Sequence, residues 1–426
     1  ISDVDAMDVT YRQRPRLKPD QDYSERIPFF PAITGRQIQP AETRPRKQKR
    51  SWHVRLDNVR GHGSHDVWIY EWRAMLAGHA RGGFTYRTRG GPMSMDIKDA
   101  QLQVGRLFLN GNREVFRRGE FTGEFHFAPF VPRENRGLAM LPFLSLDTVV
   151  DVDVDSLVFI NLFTQSFEGL TVDGHGEVDG RLRLDRGTLL AGTGLEVEAG
   201  ALVLDWLGHR VDGEGTVDLE VREDEPDTLR LLFGFRDLEV LQPDASVAML
   251  VGDELELMVS SDTDILSPEQ HGNVRRELQA TIVSLSVPNL AVLDRYLPER
   301  LPVRLMGGEG RLQGAASLGE DALSGSLRRD SRAADLAIKD YTFTTNLETG
   351  IEFSNPDYRA SGTSVAGSYL TLRGASLLRD GANSQEPWNA SLRITDGAFS
   401  LLNALREEES DLLGVLRAID MGELLA

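Results

Sequence analysis

In TVVDVDVDS, residues 148 to 156, Val150, Val152 and Val154 alternate without a break against Asp151, Asp153 and Asp155. A period of two sends the two sets to opposite faces of a strand, one buried and one wet. The same texture starts at Trp52: WHVRLDNVRG sets Val54 and Leu56 against His53, Arg55 and Asp57. HDVWIYEWRA, GGFTYRTRGG, MDIKDAQLQV and GEFTGEFHFA follow, each closed by Gly, Pro or polar residues. It resumes in EVDGRLRLDRG, GLEVEAGALVLDW and GEGTVDLEVRE, and then in DTLRLLFGFRDLEV, DELELMVSSDTDI, ELQATIVSLSV, GEGRLQGAASLG, ADLAIKDYTFTTNLE and GSYLTLRGASLL. Turn signals at this spacing predict a mainly β chain, a long antiparallel meander. Strands do not alternate with helices of ten to fifteen residues, so parallel βαβ folds are excluded.

Few segments depart from this pattern. LVFINLFTQSF (157 to 167) is a short apolar stretch, and NLAVLDRYLP (289 to 298) predicts one or two helical turns stopped by Pro298. In FSLLNALREEESDLLGVLRAID (399 to 420), Leu401, Leu402, Leu405, Leu412, Leu413, Leu416 and Ile419 fall on one stripe. Arg406, Glu407, Glu408 and Asp411 lie mostly off it, which predicts a C-terminal amphipathic helix. Its acidic face disfavours an anionic membrane surface, so a lid over an open sheet end is the expectation. Residues 1–51 are irregular: DVDAMDVTY alternates like a strand, then Pro15, Pro19, Pro28, Pro31, Pro40 and Pro45 interrupt. TRPRKQKR (43 to 50) is either a patch for anionic lipid or polyanion, or a solvated loop. The expected organisation is therefore an N-terminal segment 1–51, three β sections at 52–150, 151–287 and 288–398, and a helix at 399–426.

Two glycine-rich stretches raise the possibility of a phosphate cradle. Gly174, Gly176 and Gly180 in GHGEVDG have the offsets of Gly308, Gly310 and Gly314 in GEGRLQG, 134 residues on, and GEGTVDL (213 to 219) is a partial third instance. The spacing is G-x-G-x-x-x-G, and strand residues follow instead of a helix, so no helix N-terminus is present to hold an anion. These glycines read as bends and close approaches in repeated units.

Composition narrows the function. A net charge of -19 excludes nucleic acid as a partner for the body of the chain. The absence of Cys removes disulfides, thiolate catalysis and Cys-bound metal. No apolar run reaches the roughly 18 residues that cross a bilayer, and the longest, LVFINLF, is far shorter. The chain opens on Ile1, and we expect a fragment or processed chain whose membrane anchor lies outside it. DVDVDS lacks the sixth-position Gly and the twelfth-position Glu of a calcium loop, that place being held by Leu162. His62 and His65 have no third ligand nearby in sequence and read as a turn. No carboxylate pair stands out among 66 acidic residues, and no G-x-S-x-G is present. Neither an enzymatic activity nor a cofactor or metal is expected.

SVPNLAVLDRYLPERLPVRLMGGEGRLQGAASLGEDALSGSL (286 to 327) resembles the AsmA-like and TamB-like envelope proteins: a short helix, "YLP", then a Gly-bounded strand pair. VDGHGEVDGRLRLDRGTLLAGTGLEVEAG is similar to another copy, and WHVRLDNVRGHGSHDVWI with ARGGFTYRTRGG to a further strand pattern of the same proteins. The resemblance runs over about residues 52 to 395. It implies a repeating β-groove, an elongated and strongly curved sheet with an apolar channel. It also implies a periplasmic or envelope location with inner-membrane anchoring, phospholipid or another acyl lipid as partner, and inner- and outer-membrane protein partners. Physics points the same way: a long sheet with one apolar face and few helices must cover that face by curling or with a second sheet. Candidate groove residues are Val150, Val152, Val154, Leu182, Leu184, Val197, Leu202, Leu204, Val217, Leu219, Leu255, Leu257, Ile282 and Leu312. The same residues would equally fill a closed sandwich core, which corresponds to the alternative function, an envelope scaffold acting through protein partners. A secreted β-solenoid acting on polysaccharide ranks last, because no short rung repeat is present.

Overall fold

The computed structural model describes residues 3–13, 51–69, 72–109, 113–132, 134–135, 137–164, 170–206, 208–242, 247–264, 276–296, 303–319, 321–338, 341–357, 362–379, 382–383, 387–399 and 416–421. The basic stretch 43–50 lies outside them, as do residues 400–415 of the expected C-terminal helix.

Alternating sequence becomes strand wherever it was read. The first two strands, β1 (Val4–Met7) and β2 (Thr10–Gln13), come from the DVDAMDVTY region. Next are β3 (His53–Ile69), β4 (Trp72–Arg87), β5 (Met93–Leu109), β6 (Arg113–Phe130), β7 (Leu144–Val154), β8 (Thr171–Asp185) and the two-residue β9 (Thr188–Leu189). The middle of the chain supplies β10 (Thr193–Trp206), β11 (His209–Val221), β12 (Thr228–Leu241), β13 (Ala248–Asp262) and β14 (Arg276–Val287). The last third gives β15 (Val303–Leu318), β16 (Leu323–Ile338), β17 (Tyr341–Asn355), β18 (Thr363–Ser364), β19 (Tyr369–Arg379), β20 (Ala382–Asn383), β21 (Trp388–Phe399) and β22 (Leu416–Met421).

All 22 strands among the described residues belong to one sheet. Each long strand from β3 onward pairs antiparallel with the next, β8 passing to β10 and β17 through β19 to β21. Two exceptions mark the starting edge, where β1 and β2 lie parallel on β3. Asp8, at φ 53°, forms the kink between them, and its Oδ1 accepts from the N–H of Ser64.

At the other edge the expected helix is corrected: Leu416–Met421 is a strand paired antiparallel with β21, Ile394 opposite Ile419. LRAIDM is too short for periodicity to separate helix from strand, and the open backbone edge of β21 offers hydrogen bonds that a helix would not use.

The sheet is elongated and strongly curved. Helical residues are few: Gly137–Phe143 and Leu157–Ile160 are 3-10, Asn161–Thr164 is a single α turn, and Leu290–Tyr296 is 3-10 where NLAVLDRYLP predicts helical turns. They roof only the rim. Leu157, Ile160 and Phe163 are buried beside β8, where the Asn161 side chain accepts from Val172 N–H and donates to Val172 O as a neighbouring strand would. Leu290 is buried under β15, and Asp294 accepts from Leu305 N–H. Over the centre of the sheet the apolar face is covered by the sheet itself, with Leu202, Val217 and Phe233 buried.

Candidate apolar trough

Register builds the site. Leu76, Val104, Gly119, Val152, Val178, Val197, Val217, Phe233, Leu257, Ala280, Ala316, Gly325 and Phe353 are successive direct partners from β4 to β17. That is one unbroken apolar row over twelve inter-strand steps, about 58 Å along the hydrogen-bonding direction. A second row beside it passes from Ala74 through Phe116, Val154, Ala199, Phe235, Leu255, Ile282 and Leu327 to Ile351.

These strands run 11 to 18 residues and most are bent by bulges. A bulge inserts an extra residue and shifts the alternation by one. On β10 the inward set is Val197 and Ala199 before the bulge, then Leu202 and Leu204 after it. On β12 it changes from Phe233 and Phe235 to Leu238 and Val240 across Asp237, at φ 48°. On β16 it changes from Leu327 and Ser331 to Ala334 and Leu336 across Ala333, at φ 49°. The parity shift keeps apolar side chains inside on both limbs of a bent strand. The product is a trough with two greasy walls.

All fourteen sequence-predicted groove residues fall in one hydrophobic cluster. Val150, Val152, Val154, Leu184, Val197, Leu202, Leu204, Val217, Leu219 and Leu257 are buried in it, whereas Leu182, Leu255, Ile282 and Leu312 are half-buried against it. Exposure then varies along the trough. At the centre Leu202 and Phe233 are 0% exposed and Val217 1%, so the two walls meet and fill the interior with protein. Toward β3 the inner face opens. Leu56, Phe84, Met95, Phe127 and Leu144 form one cross-strand row and are each only half-buried. Three of them, Leu56, Phe84 and Met95, also border a cleft of about 920 Å³ that is otherwise mostly polar, with Arg55, Asp57, Thr85, Ser94, Asp96 and His126 of the opposite parity in its lining. The aromatic residues of this end were missed in the sequence reading, although Phe121, Phe125 and Phe127 alternate openly in GEFTGEFHFA.

The outer face is polar and laced with ion pairs. Arg181 donates to both oxygens of Asp147, at 2.6 and 2.8 Å, and this bond, with Arg183 also near, holds the carboxyl below its usual range. Glu348 is lowered in the same way by Arg373 and by the Tyr369 hydroxyl. Asp218 moves up, because it is partly buried and Glu196 and Glu220 flank it.

The remaining motifs have structural uses. Gly174 and Gly308 both have positive φ, 133° and 103°, Gly308 within a bulge and Gly174 next to the register shift opposite His175 and Gly176. A Cβ on Gly180 would collide with the carbonyl of Gly194, and one on its match Gly314 with that of Ser326, so these two glycines mark equivalent close approaches. Asp151 and Asp153 of DVDVDS lie on β7, and Asp153 pairs with Arg118. His62 pairs with Asp5 and His65 accepts from Val9 N–H, which clips β1 and β2 to the sheet. Among the described residues no group of three metal-binding side chains comes together, and no helix is long and apolar enough to cross a membrane.

One charged side chain stands on the inner face at a place the sequence reading passed over. In LSGSLRRDS, Arg329 shares the parity of Leu323, Leu327 and Ser331. That parity was the available signal.

Comparison with family models, with curated proteins and with solved structures finds no match to this chain.

Proposed function

We propose that this protein holds phospholipid acyl chains on the apolar inner face of its curled sheet, as a bridge-type component of a cell envelope. The half-open row Leu56, Phe84, Met95 and Phe127 carries the proposal, since it leads without a break in the sheet into the buried interior. Each CH₂ moved from water onto such a face gains about 0.8 kcal/mol, so a single tail supplies ample binding energy. The resemblance of residues 286 to 327 to AsmA-like and TamB-like proteins supports the envelope setting and the partners that go with it, inner- and outer-membrane proteins.

The dry centre favours a second reading. With Leu202, Val217 and Phe233 fully packed, the middle of the molecule is a core, and a scaffold acting through protein partners needs nothing more. The two readings differ in where lipid sits. A photoreactive residue placed at Phe84 or Phe127, and separately at outer-face Val149, is activated in cells and the adducts are identified. Phospholipid adducts at Phe84 and Phe127 but not at Val149 are the expected result; protein adducts alone would leave the scaffold.

A further inference from the structure

Inward positions of β16 run Leu323, Gly325, Leu327, Arg329 and Ser331 up to the bulge at Ala333. Arg329 therefore places a guanidinium in a row that is otherwise uncharged and mostly leucine. Its direct partners are Leu312 on β15 and Thr349 on β17, with Leu370 and Leu392 following on β19 and β21. Nε donates to Ser331 Oγ at 2.9 Å. Nη2 is sealed from solvent and has no hydrogen-bond partner.

The contrast with the other arginines is sharp. On the outer face Arg181, Arg210 and Arg373 each rest on a carboxylate, Asp147, Asp212 and Glu348. Among the described residues Arg329 has no ion-pair partner, in a chain with 66 acidic residues. Burial pushes its guanidinium down to about 10, with no carboxylate contributing, and it remains charged at neutral pH. A buried charge without a counter-ion is strongly unfavourable, and leucine or methionine would fill the same space without that penalty. A group retained against its own stability cost points to a ligand.

We infer that Arg329 is an anion-binding position inside the trough, which takes the phosphate or carboxylate oxyanion of an acyl lipid whose chain lies along the leucines of the same row. This rests on the acyl-binding reading above and adds to it the class of headgroup and its place. The planar guanidinium fork matches two oxyanion oxygens. Ser331 Oγ, which accepts from Nε, keeps its own proton to donate to the same anion.

The test uses the full chain as wild type, R329M, R329K and R328M, the last altering the neighbouring arginine on the outer face. Each is incubated with phosphatidylglycerol vesicles, sodium oleate, dioleoylglycerol emulsion or inorganic phosphate, reisolated, checked for fold by circular dichroism and assayed for bound ligand. Wild type and R328M should hold phosphatidylglycerol or oleate about ten- to a hundred-fold more tightly than dioleoylglycerol, the range expected of a charge-assisted hydrogen bond. R329M should lose that preference and R329K keep part of it. An anionic preference undiminished in R329M, or lost equally in R328M, overturns the assignment. Phosphate bound through Arg329 with no acyl compound retained overturns the lipid-borne anion. If wild type retains neither dioleoylglycerol nor any anionic lipid, the trough reading itself fails, a result distinct from the loss of anion preference alone.

Discussion

The backbone N–H of Leu189 donates to the carbonyl oxygen of Thr263 at 2.9 Å, tying the turn after β8 to the end of β13. Strands β10, β11 and β12 lie between those two points, and a flat sheet would hold them more than about 14 Å apart. The bond exists because the sheet curls back on itself there, and both residues are buried. Curvature, and not a layer of helices, covers the apolar face.

Leu189 should then act as a clasp. Leu189→Ala removes a side chain that is 1% exposed and is expected to cost about 2–4 kcal/mol. It should also raise binding of an apolar dye to the folded protein, because the rim parts. Urea unfolding and dye fluorescence read the two effects, and a loss of stability without extra dye binding would mean that the rim closes by other contacts.

The bulges carry the second prediction. Ala333 holds a left-handed backbone at φ 49°, a conformation that costs a residue with a Cβ about 1–2 kcal/mol. Part of that is recovered by Ala333→Gly, which should stabilise by about 0.5–1 kcal/mol after the entropy of glycine is counted. Asp237, at φ 48°, tolerates the conformation better than a branched residue does, so Asp237→Val should destabilise by about 1–2 kcal/mol. Thermal melting of both variants checks the signs. A neutral Asp237→Val would place the bend elsewhere.

Asp147 gives a pH dependence with a definite sign. Its folded carboxyl titrates below its ordinary value of 3.8, chiefly because Arg181 hydrogen-bonds the ionised form. The stabilisation is present above the unfolded value and is lost as pH falls through the folded one. Asp147→Asn should therefore flatten part of the fall in stability below about pH 4 and leave the slope near neutrality unchanged. Denaturant midpoints measured from pH 5 to pH 2 test this, and identical acid slopes in the two proteins would refute it.

Arg329 is expected to weaken the empty protein. Arg329→Met replaces an uncompensated buried charge with an apolar chain of similar reach and should raise stability by about 1–3 kcal/mol. Calorimetry of lipid-stripped protein decides it. A lower melting temperature in R329M would show that the guanidinium is structurally satisfied.

Much of this architecture was legible in local pattern. Val150, Val152 and Val154 opposite three aspartates gave the buried face of β7, and the glycines matched across 134 residues gave two equivalent bends. NLAVLDRYLP gave the short helix at Leu290–Tyr296. Strict alternation could not locate the bulges: Ile282 and Leu285 are three positions apart yet face Gly314 and Leu312, which are two apart. A parity shift depends on the partner strand and leaves no mark in one strand alone. Parallel pairing of β1 and β2 with β3, across some forty intervening residues, is likewise non-local, as is the choice of LRAIDM between helix and edge strand. Whether fourteen inward residues enclose a channel or a core depends on how far the walls stand apart, and no spacing in the sequence encodes that distance.

The claim that acyl chains occupy the trough is tested most directly by native mass spectrometry of the protein extracted gently from its own cells. The account predicts phospholipid bound at one or more molecules per chain, reduced when Phe84 and Met95 are both replaced by aspartate. Protein of bare polypeptide mass, with the double variant indistinguishable from wild type, would contradict it.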